Sequence, residues 1–478
     1  MQEIWDIIGN FFETTVFTYG AILLVSYALL AVCSLIAVRR WVTMDRFQDG
    51  EVLLTSPLAP GISVIAPAYN EGMTIIYNVR SLLTLKYARY EIIVVNDGST
   101  DDSMDQLIKE FHLVAVDFAY NAKIQTRPVK KIYKSTNPAY AKLTIIDKVN
   151  GKSKADAVNA GINAAAYDYF VCTDVDCILH ENTIIELVKP VMKEKNKRVI
   201  ATGATLRAAN SNTFDQGVMV GVRAPSQLIP RFQEVEYIRA FVLGKMGWTL
   251  LNCVPNVSGG LGLFDKEIAI RCGGYDHTSF GEDMELMTRM VRYARDNRID
   301  YAIRYIPKTL CWTEVPSTLA VFGRQRTRWA RGLAQLMHAH FGMFLRPRYG
   351  KFGLIVFPYN FFFELLAPII EFGGIIYYII AIIMGWINWP TALVLLVFVY
   401  SYAIMITTLA ILYDQITFRY YNSWRDVVLL CLMPFMEFFL YHPLIVFFSL
   451  RGYYFFLTGK KAGWGNMQRR GFQVAPNR

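Results

Sequence analysis

Cysteine is sparse in this chain and never paired in sequence. Cys33, Cys172, Cys177, Cys253, Cys272, Cys311 and Cys431 form no CxxC spacing. An odd, scattered set suits reduced thiols in a cytoplasmic domain and argues against a disulfide framework or a zinc site. The six histidines are equally dispersed; His338 and His340 stand two apart on an expected helix and so do not share a face. No tandem repeat or low-complexity tract is visible, so no repeat array is expected. The balance is basic, with 49 Lys and Arg against 39 Asp and Glu. Nothing resembling a nucleic-acid module accompanies it, so nucleic acid is not an expected partner.

Charge is missing altogether from Val16 to Val38, a run of 23 residues. As a helix it spans ~34 Å, enough for a hydrocarbon core of ~30 Å. Arg39 and Arg40 follow at once, whereas a secretory signal carries its basic residues before a shorter apolar core. The expectation is an uncleaved span with its N-terminus outside and Arg39 in the cytoplasm. The hydrophobic fraction of 54% and mean hydropathy of +0.27 fit a protein of several spans.

From Gly353 to Leu450 the chain is apolar again, with spans read at Ile375–Trp386 (extended toward Phe357), Ala392–Tyr413 and Val427–Leu450. The tail from Arg451 carries Arg451, Lys460, Lys461, Arg469, Arg470 and Arg478 and no acidic residue, six of the formal net +10. Anionic lipid headgroups at the cytoplasmic face suit it. An outside N-terminus and an inside C-terminus require an odd number of crossings, yet one span plus three gives four. Either the chain breaks near Glu371–Gly374 to make two passes, or Pro434 and Pro443 mark a last segment that enters and returns. Glu364, Glu371 and Glu437 fall within apolar runs; carboxylates are costly there and are expected to face a polar path, the bundle interior or the interface.

Between Asp45 and Lys351 the pattern changes to a water-soluble one. Ile62–Ala66, Glu91–Val95, Leu143–Ile146 and Tyr169–Thr173 are short β-branched or apolar runs of buried-strand type, with the helical KADAVNAGINAAA before the last. Strands alternating with helices indicate an α/β fold with a mostly parallel sheet. Ligands bind such sheets at the carboxyl ends of the strands, where Asp97, Asp174 and Asp176 fall. Phe111 to Tyr140 reads as an irregular insertion.

Asp174 and Asp176, at i and i+2 after the strand YFVC, can reach a divalent ion on the phosphates of a nucleotide sugar; an Asp-rich turn is the plainer reading. Asp97 in NDGSTDDS can accept hydrogen bonds from a uracil or ribose edge, while Ser99 or Asp101 caps the next helix. Lys154 and Asp156 open a helix where they could face the diphosphate and sugar. Asp283, with Glu282 as competitor, can serve as general base toward a sugar hydroxyl, although acids at helix starts are common for dipole reasons alone. Arg328 offers a fork of donors suited to a diphosphate, and Trp329 a flat face for a sugar. The alternative for Gln325–Trp329 is an amphipathic helix on the membrane surface.

Asp97, Asp174-Val175-Asp176, Gly281-Glu282-Asp283 and Gln325-Arg326-Thr327-Arg328-Trp329 together resemble the ordered motif set of membrane-integrated family-2 glycosyltransferases, which include cellulose, hyaluronan, chitin and poly-N-acetylglucosamine synthases. The resemblance runs from PAYNE through KADAVNAG to the C-terminal spans. It implies a Rossmann-like GT-A fold, a UDP-sugar donor, Mg²⁺ or Mn²⁺, inversion to a β-linkage, and extrusion of the growing chain through the adjoining helices. In its terms Tyr69, Glu71, Asp97, Lys154, Asp174 and Arg328 bind the donor, and Asp174 and Asp176 hold the metal. Asp283 is the base beside Glu282, and Gln325 and Trp329 meet the acceptor. The third motif commonly has Thr where Gly281 stands. No cyclic-dinucleotide-binding domain is visible after the spans.

The resulting expectation is an N-terminal transmembrane helix (1–40), a cytoplasmic GT-A domain (45–320), a QxxRW and interface region (321–352), C-terminal transmembrane helices (353–450) and a basic cytoplasmic tail (451–478), integral to the plasma or inner membrane. A processive exopolysaccharide synthase leads, with a polysaccharide or glycolipid acceptor, membrane lipids and accessory export subunits as partners. Single-sugar transfer to a membrane lipid is the first alternative. A non-catalytic scaffold or transporter with a ligand-binding domain is the second, and it predicts no turnover of UDP-sugar.

Overall fold

The computed structural model describes residues 2–45, 56–215, 218–460 and 473–474; the tail cations Lys461, Arg469, Arg470 and Arg478 lie outside them. Helix α1 (Gln2–Asp45) leads into the sheet domain. Its centre is four parallel strands, β1 (Ile62–Ala68), β2 (Tyr90–Asn96), β5 (Leu143–Lys148) and β6 (Tyr169–Thr173), joined in the order β5-β2-β1-β6. These are the four runs read as strands. Val64, Ile92, Val94 and Ile145 are fully buried in them, each contributing about 1.5–3 kcal/mol by leaving water.

The crossovers are helices α2 (Ile75–Leu83), α3 (Ser103–Glu110) and α4 (Lys154–Ala164), the last capped by the Ser153 side chain. At one edge β3 (Leu113–Val116) and β4 (Val129–Ser135) pair antiparallel with each other, and β4 with β5. The stretch read as irregular therefore extends the sheet: Lys-rich β4 has little burial pattern in sequence, and its partners define it. On the other flank come β7 (Cys177–Leu179), β8 (Arg198–Ala208), β11 (Leu261–Asp265) and β12 (Tyr301–Thr313), in the order β6-β11-β8-β12-β7. A small second sheet joins β9 (Thr213–Asp215), β10 (Val218–Gly221) and β13 (Gln473–Val474).

Helix α5 (Thr183–Lys193) packs on β8. Helix α6 (Leu228–Ile238) continues through a π-helical turn, Arg239–Lys245, into Met246–Leu250. Helix α7 (Glu282–Asp296) precedes β12, and α8 (Leu319–Ala339) follows it. Then come three apolar helices, α9 (Phe352–Ile383), α10 (Trp389–Phe418) and α11 (Trp424–Leu457), which with α1 make four runs long and apolar enough to cross a membrane. Helix α9 runs through Glu371–Gly374 without a break, so the two-pass alternative is not what forms.

Helix α11 bends at Pro434 and at a π-helical turn, Glu437–Tyr441. Near its start Val427 and Leu430 join Phe232 and Val235 of α6 in one apolar cluster. Near its end Arg451 donates to the Gly323 carbonyl and to Thr327 Oγ1 of α8, both at 2.8 Å. Gly452 permits that contact, since a Cβ there would lie 2.6 Å from the Thr327 carbonyl oxygen. Both ends of α11 therefore rest on helices of the sheet domain. Helix α10 is tied to the same domain by fully buried Arg207 of β8, which pairs with Asp414 and, at 2.9 Å, with Glu234.

Candidate active site

The parallel strands end on one edge, and the acidic groups stand there because the chain turns polar at that point. Asp97 follows β2; its Oδ1 accepts from Lys148 Nζ at 2.6 Å and from the Gly151 amide at 2.9 Å. Fully buried Lys148 also pairs with Asp156. Asp156 Oδ1 accepts the Arg127 amide at 3.1 Å, and the residue does not line the cavity described below. Its expected place facing the sugar is corrected to that of an internal counter-ion. The reason is Lys148, a buried ammonium needing carboxylates on both sides. Asp101 caps α3, accepting from the Ser103 amide at 3.1 Å.

After β6, the carboxylates of Asp174 and Asp176 and the Cys177 sulfur lie within 4.8 Å of one another. Two carboxylates that close suit a hard divalent cation, so the donor set fits Mg²⁺ or Mn²⁺, with Cys177 a soft neighbour. Lys154 joins this group by an ion pair with Asp174 and by donating to the Gly259 carbonyl at 2.8 Å. Burial is the largest single influence and opposes its charge, but the Asp174 carboxylate together with Cys172 and Glu282 holds the ammonium well above the usual lysine range.

The third and fourth motifs meet through a pair of glycines. A Cβ on Gly332 of α8 would lie 2.5 Å from the Gly281 amide nitrogen at the start of α7. Only glycine lets the two backbones touch there. Asp283 Oδ2 accepts the Gly259 amide at 3.0 Å, so the loop before β11 orients it. Buried Glu282 beside it is pushed up to about 7, chiefly by burial, with Lys154 and Arg328 pulling the other way.

On α8, Gln325 is buried, Arg328 half-buried and Trp329 38% exposed, enough to offer a ring face. Arg326 carried no role in the sequence reading. It donates twice to Glu236, each bond 2.6 Å, and its guanidinium lies 4.6 Å from the centre of the Trp329 ring. It therefore sets the plane of that ring. Lys245 was also missed. Nine-tenths buried, it lies 4.9 Å from the centre of the Phe241 ring and is pushed down to about 8 by burial, against the pull of Asp283. No local pattern announces it, because its environment is made by α6, β12 and α7 together.

One cavity of about 2960 Å³ collects these groups. Tyr69, Glu71, Asp97, Lys154, Asp174, Asp176, Glu282, Asp283, Gln325, Arg328 and Trp329 all line it. It continues from the strand ends into α1, α9, α10 and α11, where Tyr27, Glu364, Leu396 and His442 form its walls. Glu364, Glu371 and Glu437 all face it, the polar-path alternative among the three that their apolar context left open.

Residues 60–332 match the model of the glycosyltransferase-like family 2. The chain belongs to that family, and among the described residues four helices are long and apolar enough to cross a membrane. It is 26% identical over 272 residues to a poly-beta-1,6-N-acetyl-D-glucosamine synthase of Staphylococcus epidermidis, covering 57% of this chain and 54% of that protein. It is 28% identical over 274 residues to the synthase of that name from Staphylococcus aureus, with the same coverage. The chain thus spans about half the length of the curated relatives it matches. Among solved structures, a mannosyltransferase from Pyrobaculum calidifontis, in complex with GDP-Man and Mn²⁺, aligns at 17% identity and a TM-score of 0.49, over 91% of this chain and 99% of that one.

Proposed function

We propose that this glycosyltransferase is a processive polysaccharide synthase, transferring a sugar from a UDP-sugar, with inversion, to the end of a β-linked chain that leaves through the membrane. The observation that carries the reading is the continuity of one cavity from the strand ends into the membrane helices. Single-sugar transfer to a lipid needs no such path. The relatives' printed activity makes UDP-N-acetylglucosamine the first donor to try.

In this reading Asp97 meets the uridine, with Tyr69 and Glu71 beside it, while Lys154 and Arg328 hold the diphosphate. Asp174 and Asp176 would hold Mg²⁺ or Mn²⁺, which supplies neutralisation of the leaving diphosphate. Asp283, oriented by the Gly259 amide, takes the proton of the acceptor hydroxyl as its oxygen attacks the anomeric carbon from the face opposite UDP. The bond to UDP breaks as the glycosidic bond forms, and the configuration inverts. Trp329, with Gln325 behind it, stacks on the terminal sugar and aims that hydroxyl. Helices α1, α9 and α10 are the proposed crossings, with α11, which meets α6 and α8 along its length, lying against the sheet domain without crossing. Three crossings satisfy the charge asymmetry read at the ends, with the catalytic domain in the cytoplasm.

The test is to incubate purified protein with individual UDP-sugars and measure UDP release, then product length. The reading requires release with at least one donor and products many sugars long, both lost in excess EDTA and restored by Mg²⁺ or Mn²⁺. Products one sugar longer than a lipid acceptor would overturn processivity, and no UDP release with any donor would overturn the UDP-sugar synthase reading.

A further inference from the structure

The charged groups at the membrane end of the cavity are mostly paired. From the sheet domain it is lined by Glu236, Arg239 and Arg326, from α9 by Glu364 and Glu371, and from α11 by Glu437 and His442. Each of these cations already has its carboxylate. Arg239 donates to Glu437 at 2.7 and 3.0 Å and to Thr407 Oγ1 at 2.8 Å. Arg326 holds Glu236 with two bonds of 2.6 Å, and His442 Nε2 lies 2.7 Å from Glu371. Arg451, also on the lining, is spent on the neutral acceptors Gly323 and Thr327 at the α8 side.

Glu364 is the carboxylate left over. It opens on the cavity, and its side chain has no hydrogen bond or ion pair among the described residues. Its position is also built: Glu364 lies in a π-helical turn, Asn360–Leu365. Such turns are rare in helices and concentrate at functional sites. Arg239 and Glu437 lie on π-helical turns as well. Tyr27 lines the same stretch. The local wall thus presents one carboxylate that no side chain among the described residues pairs with.

We propose that Glu364 is a charge-selective station on the glycan path. It accepts hydrogen bonds from hydroxyl or amide N–H groups of a neutral chain, pairs with an ammonium group where a sugar carries one, and repels a chain bearing carboxylates. The inference rests on the reading of the cavity as a glycan path. It narrows the product to neutral or amine-bearing hexose or hexosamine polymers and excludes uronate-containing ones.

The experiment measures binding of three hexasaccharides to the full chain in lipid nanodiscs: N-acetylchitohexaose (neutral), its de-N-acetylated form (cationic) and a hyaluronan hexasaccharide (anionic). Wild type should bind the first two at least about tenfold more tightly than the third, as like charges a few ångströms apart in a partly desolvated wall demand. Glu364→Gln should weaken the cationic oligosaccharide about tenfold and the neutral one less than threefold. Glu364→Asp should keep the wild-type order, and Glu364→Lys should admit the hyaluronan oligosaccharide. UDP binding should stay within twofold in all three variants, which shows that they fold. Equal binding of hyaluronan and N-acetylchitohexaose by wild type, an unchanged order in Glu364→Gln, or no binding of any hexasaccharide would each overturn the proposal. Absence of UDP release with every UDP-sugar would fall instead on the synthase reading.

Discussion

At the sheet end of the cavity, carboxylates converge on one point beside Lys154. Asp174 and Asp176 are gathered within ligand distance of each other, and Asp283 is held by one backbone amide. At the helix end the opposite holds. Arg239, Arg326 and His442 are matched with carboxylates there, and Glu364 is a carboxylate with no such partner among the described residues. The difference follows from solvent. The sheet end opens to water, so a local gathering of carboxylates is tolerable. Within apolar helices an unmatched charge is costly, so it is kept only where a polar path runs past it.

The comparison can be broken first at Asp283. Asp283→Asn should lower transfer about 1,000-fold, the scale of a lost general base, while UDP affinity changes less than threefold by calorimetry. A loss of UDP affinity equal to that of Asp174→Ala would make Asp283 a donor or metal ligand instead. Arg207→Met tests the joint between the two regions. It leaves Glu234 and Asp414 facing each other in a buried site, and a broken buried pair costs about 3–5 kcal/mol. The expected outcome is a large drop in thermal stability in detergent; an unchanged unfolding temperature would mean the joint carries no load.

Trp329→Ala should cut polymer formation about 100-fold through loss of aim at the acceptor, with UDP binding near normal and some hydrolysis of UDP-sugar retained. Arg326→Lys, which loses the double bond to Glu236 and the contact with the Trp329 ring, should reproduce part of this, about tenfold, with shorter products by gel. Full-length product at the wild-type rate from Trp329→Ala would make α8 a membrane-surface helix and no more. The smallest effect concerns Glu282. Its folded-state carboxyl is pushed up to about 7 from the usual value, so the folded state holds a proton that the unfolded chain releases lower on the pH scale. Its contribution to stability is full in acid and lost as pH rises through about 7. Glu282→Gln should therefore flatten the fall in unfolding temperature between pH 5 and 8, standing a few degrees above wild type at pH 8. Parallel curves for the two proteins would show that Glu282 ionises normally.

Much of the donor end was legible because its cues are local. An apolar run ending in Asp is visible within ten residues, and β2 with Asp97 or β6 with Asp174 are of that kind. So is a carboxylate in an apolar stretch, which is how Glu364, Glu371 and Glu437 were singled out. The basic-aromatic cluster of α8 was visible too, but not the division of labour within it. Arg326 looks equivalent to Arg328 until Glu236, 90 residues earlier, appears as its partner. Strand β4 was missed because it is Lys-rich at a half-exposed edge, and β3 because four apolar residues, LVAV, are barely long enough a run to mark a strand.

Residue order alone determined the alternation that makes a parallel α/β centre, the uncharged lengths that suit a membrane, and the acids at the strand ends. Those are consequences of periodicity and of the cost of placing charge in oil, and both act over one or two turns of chain. Tertiary structure alone decided which charges neutralise one another, which glycines bring α7 and α8 into backbone contact, and that both ends of α11 rest on the sheet domain. Each of these depends on a contact between residues far apart in sequence. Arg207 meets Asp414 across 207 residues, and no local pattern encodes such a pairing until the core has closed around it.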